Sequence, residues 1–217
     1  TLYHYAVVAV DGSANRSGAS APASATPTVE AGAALSFNGS SSRVTFGAAP
    51  QLGLTSFTVE TWLRRDAAGV GVTTGTGGIA SAIPLVSKGG GEGESPANIN
   101  MNWLLGIDAT SGVLVADFED TVNGGNHPVS GVTAIPVSAT TWHHAAATYD
   151  ATTGTWNLYL DGVLDRTLVL ASPFAPEASS IQHAALATSL NSSGAPAQTG
   201  GYFAGVLDEV RIWNTVR

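Results

Sequence analysis

The 217-residue sequence predicts an all-β protein whose antiparallel strands close into a sandwich or barrel, and three observations carry that expectation. Short runs rich in Val, Ile, Thr and aromatic residues recur along the chain, several with the period-two alternation of a half-buried strand. Turn signals separate nearly all of them: Asp-Ala-Thr-Ser-Gly at 108–112, Asp-Ala-Thr-Thr-Gly at 150–154, Asp161-Gly162, and Asn-Ser-Ser-Gly at 191–194. Composition agrees, because 26 glycines and only 11% charged residues, against roughly 25% in an average soluble domain, suit tight turns better than helices.

The elements follow in order. Residues 3–10 (Tyr-His-Tyr-Ala-Val-Val-Ala-Val) are a β-rich run ended by Asp11-Gly12, and the chain opens as though in mid-strand, like a piece of a longer polypeptide. A small, polar stretch with two prolines follows to Thr28, the composition of a linker or an edge strand leaving a domain. Tyr3-x-Tyr5-x-Val7-Val8-Ala9-Val10-Asp11, then Asn15, Ser17 and the Pro-rich exit, resembles the last two strands of a fibronectin type III domain. That resemblance assigns residues 1–28 to a domain tail and linker, and 29–217 to a second domain. From Gly32 the pattern changes. Residues 34–39 lead through a serine turn to 43–46. Then comes 56–63, where Phe57, Val59 and Thr61 face one way and Thr58, Glu60 and Trp62 the other. Further strands are expected at 79–88, 100–107, 113–118, 129–137, 142–150, 155–160, 163–170, 183–190 and 202–213, with no convincing helix between them.

Charge narrows the function classes. The net charge is −8 and Lys88 is the sole lysine, so no basic footprint exists for nucleic-acid phosphates or an anionic membrane. No apolar run approaches the roughly 18 residues that a membrane helix needs. The absence of cysteine excludes disulfides and thiolate sites, and leaves the compartment open. Spare carboxylates leave calcium possible.

Four local patterns then occur in one order: Leu35-Ser36-Phe37-Asn38-Gly39; Phe57-Thr58-Val59-Glu60-Thr61-Trp62-Leu63; 142–150 (Trp-His-His-Ala-Ala-Ala-Thr-Tyr-Asp) running into Leu158-Tyr159-Leu160-Asp161-Gly162; and 203–214 (Phe-Ala-Gly-Val-Leu-Asp-Glu-Val-Arg-Ile-Trp-Asn). The series resembles the laminin-G-like branch of the concanavalin A-like jelly rolls, which is related to the pentraxins. It implies a two-sheet antiparallel jelly-roll sandwich. It also implies a structural calcium ion held where the first and last strands meet, at Asn38, Gly39 and Asp208, since calcium takes six to eight oxygens and loops supply them. Glu209 would point away from Asp208 on a regular strand. Trp142, Trp156 and Trp213 read as core anchors between the sheets.

Other constellations are weaker. Asp117 and Glu119 lie two apart and would share a strand face, which could place paired hydrolytic carboxylates in a groove, but the third acid of the glucanase relatives is missing, so they read as solvated loop acids. His143 and His144 are neighbours on opposite faces and cannot hold one ion together. Lys88 and the glycines after it read as a loop, not a phosphate cradle. Asp120, Asn123, Asn126 and His127 form a polar group that suits a ligand surface, with Tyr202 as an aromatic face.

The expected function is a non-catalytic, calcium-stabilised module of a secreted or cell-surface protein that binds a glycan or glycoprotein. The alternative is a structural spacer or filament unit, in which Tyr3, Tyr5 and Val7 would pair with another copy by strand addition, because a two-strand remnant leaves its ladder unpaired.

Overall fold

The computed structural model describes residues 3–5, 23–25, 33–91, 100–197 and 200–217. The chain divides into two compact units, residues 1–33 and 34–217. In the first, β1 (Tyr3–Tyr5) pairs antiparallel with β2 (Ala23–Ala25), setting Tyr3 opposite Ala25 and Tyr5 opposite Ala23. Tyr3 and Tyr5 of the proposed inter-subunit strand thus lie in a two-stranded pair, and Val7 lies outside the described residues.

The second unit is a sandwich of two six-stranded antiparallel sheets. Its strands are β3 (Leu35–Asn38), β4 (Val44–Thr45), β5 (Phe57–Arg65), β6 (Ala82–Lys88), β7 (Trp103–Asp108), β8 (Val113–Asp117), β9 (Val129–Ala134), β10 (His143–Asp150), β11 (Thr155–Leu160), β12 (Val163–Val169), β13 (Ala184–Leu186) and β14 (Ala204–Trp213). The first sheet runs β12-β11-β10-β5-β14-β3 and the second β4-β13-β6-β7-β8-β9. The only helical turn among the described residues is the 3-10 segment Pro50–Leu52.

Local chemistry explains the connections. At the β11–β12 hairpin Asp161 and Gly162 both take positive φ (53° and 77°), the two-residue geometry that matches strand twist. Asp108 and Asp150 close their turns by accepting the backbone N–H groups of Thr110 and Ser111, and of Thr152, respectively. Between the sheets, Phe57, Val59 and Leu63 of β5 and Trp156, Leu158 and Leu160 of β11 share one core with Leu105 and Ile107 of the facing sheet. Trp156, fully buried, packs its ring 4.9 Å from Tyr149 and 5.6 Å from Phe57.

The two outer faces differ. Every residue of β6 and the first five of β7 are buried, because a second apolar cluster of Ile79, Ala82, Met101, Leu104 and Val115 covers the far side of that sheet. Among the described residues the outer face of the first sheet has no such cover. There β5 keeps its alternation, with Glu60, Trp62 and Arg64 turned outward. Parity also corrects two of the expected core anchors. Trp142 precedes β10 beyond the His143–Leu63 pair and is 37% exposed, while Trp213 pairs with Thr58 and carries that residue's outward parity. Trp156 alone of the three is a core residue, and Trp103 is the second buried indole.

Lys88 is the buried end of β6 rather than part of a loop. Its ammonium donates to the carbonyls of Ala48, Ser180 and Gln182 at 2.8, 2.8 and 2.9 Å. At the open side of the sandwich, β9 and β12 are the edge strands of their sheets. Asp165 of β12 reaches across and accepts the backbone N–H groups of Val132 and Thr133 at 2.9 and 3.1 Å.

Candidate functional site

The calcium placement fails on register. Asn38 stands opposite Ala204, four positions before Asp208 on β14, a separation of ~13 Å along the strand. Gly39 also packs on Ala204. Asn38 Oδ1 is already engaged by the N–H groups of Ser40, Ser41 and Ser42 at 2.9–3.0 Å. Asn38, Gly39 and Asp208 therefore do not fit one ion. Among the described residues no three His, Cys, Asp or Glu side chains converge as metal ligands.

The polar group around residue 120 does come together: Asp120 is buried, Asn126 and His127 are half-buried, and Asn123 is exposed. Asp120 is 2% exposed; it accepts the N–H groups of Val122 and Asn123, and its Oδ2 lies 2.8 Å from His127 Nε2. Burial alone would raise that carboxyl, yet the Asn123 N–H, the His127 ring and the Val122 N–H outweigh it and hold the carboxyl below its ordinary range. Asn126 Nδ2 donates to Thr74 O and Asp117 Oδ2, Asn123 Oδ1 accepts from Gly125 N, and the His127 ring stacks on Phe174 at 4.2 Å. Asn126 and His127 thus tie the 118–127 loop to the sandwich, while Asn123 bonds only within its own turn. Asp117 and Glu119 are fully buried, not solvated. Burial, the largest influence, raises the Asp117 carboxyl to about 7 despite hydrogen bonds from Thr74, His127 N, Phe118 N and Asn126. Tyr202 stands apart from this group, bridged to Val70.

A different surface has the features of a binding site. On the outer face of the first sheet, register places Trp62 of β5 between His144 of β10 and Asp208 of β14. Beyond His144, Asp161 accepts the His144 N–H through Oδ1 and pairs with the His143 ring at 2.8 Å. Burial pushes the Asp161 carboxyl up, but the His143 ring, the His144 N–H and both imidazoles together hold it low. Asp161 in the β11–β12 turn, His144, Trp62 and Asp208 thus form one row across that turn, β10, β5 and β14, ~14 Å at normal strand spacing.

Trp62 is 41% exposed. The His144 ring meets it edge-on at 5.3 Å, and Glu60 fixes the neighbours: its Oε1 accepts Trp213 Nε1 at 3.0 Å and its Oε2 lies 3.5 Å from His144 Nε2. Trp142 is the second exposed indole, with the Arg64 guanidinium 5.6 Å from its ring centroid. Arg64 itself is bidentate on Asp66 at 2.7 and 3.0 Å.

A bulge completes the site. The ladder steps from Asp208–Trp62 to Arg211–Glu60, so β14 carries one extra residue there, and Glu209 adopts φ 50°. This left-handed backbone costs a non-glycine residue of the order of 1–2 kcal/mol. Asp208 O accepts the Thr61 hydroxyl, Asp208 Oδ1 accepts the Glu209 N–H, and Arg211 bonds the Glu209 carboxylate. The expectation that Glu209 turns away from Asp208 assumed a regular strand; the bulge brings both beside Trp62 and Trp142, around a cleft of about 300 Å³. A second cleft of about 370 Å³ lies on the other side of Trp62, lined by His144, Asp161 and Gly162. The alternation of Thr58, Glu60 and Trp62 in the sequence is the signal that would have found this face. A tryptophan on the polar side of a strand has no core to enter.

Two stacked six-stranded antiparallel sheets define a β-sandwich of the jelly-roll class. The concanavalin A-like lectin/glucanases superfamily is matched over residues 38–217, and the chain belongs to that family. No curated protein sequence matches it. Among solved structures it is similar to the CBM40 of the Ruminococcus gnavus IT-sialidase bound to α2,3-sialyllactose (TM-score 0.61, 13% identity, 85% of this chain and 91% of that one). It is also similar to the NanB sialidase of Streptococcus pneumoniae (K499G mutant; TM-score 0.62, 15% identity, 86% and 26%). The native heptameric SAP-like pentraxin of Limulus polyphemus is similar as well (TM-score 0.50, 14% identity, 84% and 76%). At these identities the likeness is one of fold.

Proposed function

We propose that the chain is a non-catalytic glycan-binding module of a secreted or cell-surface protein, and that it holds its ligand on the outer face of the first sheet around Trp62. The observation that carries this reading is the pair of exposed indoles, Trp62 and Trp142, bordering clefts that present Asp208, Glu209, His144 and Asp161. A sugar ring offers an apolar face to an indole and hydroxyls to carboxylate and imidazole, so an aromatic platform beside such groups is what its recognition needs. Support comes from the CBM40 likeness, since that module was seen with sialyllactose. A binding role also explains why β14 keeps a strained glutamate on an exposed face, because strain of this kind concentrates where a ligand is held.

The test is glycan-array binding followed by titration calorimetry with wild-type protein and Trp62→Ala. A central aromatic contact contributes about 2 kcal/mol, so truncation should weaken binding about thirtyfold. The exposed position predicts an unchanged melting temperature. Glycan binding that survives Trp62→Ala at full strength would remove this face from consideration.

A further inference from the structure

We propose that the glycan taken at the Trp62 face is uncharged, an oligosaccharide of more than one ring, and that the site rejects sugars carrying a carboxylate. This rests on the binding face proposed above and adds its selectivity. The groups around Trp62 are predominantly acidic: Asp208 and Glu209 on one side, Asp161 on the other, and Glu60 next along the strand. Selective recognition of a sugar carboxylate calls for a guanidinium fork free to take it. Arg64 has its fork on Asp66 and its plane near Trp142, and Arg211 is bonded to Glu209. Arg217 lies 4.0 Å from the Trp213 ring centroid, at the Thr58 level and two outward pairs from Trp62. The sole lysine is buried at the end of β6.

Asp208 meets no cation among the described residues, and its side chain accepts only the N–H of the residue that follows it. Beside an indole, such a carboxylate is a strong acceptor for sugar hydroxyls and a like charge to any acid on the ligand. The net charge of −8 extends the same bias beyond contact range. The two clefts stand on opposite sides of Trp62 along the row from Asp161 to Asp208. A ligand filling both must run across the strands with one ring on the indole and others beyond it.

A panel of neutral oligosaccharides and the same cores capped with sialic or uronic acid would be screened on the whole chain. The best neutral hit and its acid-capped form would then be titrated at low and high salt, against wild type, Trp62→Ala and the double variant Asp208→Asn with Glu209→Gln. The expected result is a neutral hit whose acid cap weakens binding at least tenfold. That gap should shrink in high salt and in the double variant, because its origin is charge. Equal or tighter binding of the acid-capped form overturns the selectivity while leaving the binding face standing. A gap that neither salt nor the double variant reduces also overturns it, since the cap would then clash by shape. No hit in the panel, or hits indifferent to Trp62→Ala, would bring down the binding face itself and the selectivity with it.

Discussion

Replacing pH 7.5 with pH 9.5 should make this protein harder to unfold, which is unusual for a protein of net charge −8. The cause is Lys88. Its side chain is fully buried, and burial lowers its pKa from 10.5 to about 8, even with three carbonyls around the ammonium. In the unfolded chain the amine regains the ordinary value near 10.5. Between the two values the unfolded chain therefore binds the extra proton, and stability rises with pH across that window. Below pH 8 both states are protonated and the full cost of burying the charge is present. A difference of about 2.5 units at about 1.4 kcal/mol per unit bounds that cost near 3 kcal/mol. The part released between pH 7.5 and 9.5 is about 2 kcal/mol, or 1–2 kcal/mol after allowing for solvent near the Ala48 end of the pocket. No other lysine exists, so the difference between the wild-type profile and that of Lys88→Met isolates this side chain. Urea unfolding followed by tryptophan fluorescence at the two pH values measures it. Lys88→Met should give a flat profile, at lower absolute stability because three buried carbonyls lose their donor. A flat or falling wild-type profile would show that the ammonium is not buried as described.

Two further expectations follow from the fold. Asp117, raised by burial to about 7, binds a proton in the folded state that the unfolded chain has released above pH 4, so it should make stability fall between pH 5 and 8 by about 2–4 kcal/mol. The difference between the wild-type profile and that of Asp117→Asn, from denaturant titrations, isolates that contribution. Gly162→Ala forces an L side chain into φ 77° at the β11–β12 turn and should cost about 1–2 kcal/mol, seen as a lower urea midpoint with an unchanged slope.

The sequence carried the architecture because strand periodicity and turn chemistry are local. Asp161-Gly162 needed only two residues to specify a hairpin, and Thr155–Leu160 was bounded correctly by its own alternation. The site was less legible, for three separate reasons. Trp142 and Trp213 were assigned to the core by residue type, whereas strand parity sets where a side chain goes. The bulge at Asp208 and Glu209 had no glycine to announce it, so regular alternation gave Glu209 the wrong direction. Asp120, Asn126 and His127 did cluster as the sequence implied, but whether a polar cluster serves a ligand or the loop that carries it depends on burial, which the chain order does not encode.

The clasp between Asp165 and the backbone of Val132 and Thr133 has a consequence for life at high concentration. A sandwich ends in exposed strands, and an unguarded N–H row is the first place where two copies fuse sheet to sheet. Here a single carboxylate from one edge occupies donors of the other, with Val132, Val163 and Leu164 exposed around it. An incoming strand would have to displace an intramolecular acceptor and leave Asp165 without its two donors. One aspartate thereby turns two edge donors inward and makes strand addition costlier at this apolar margin.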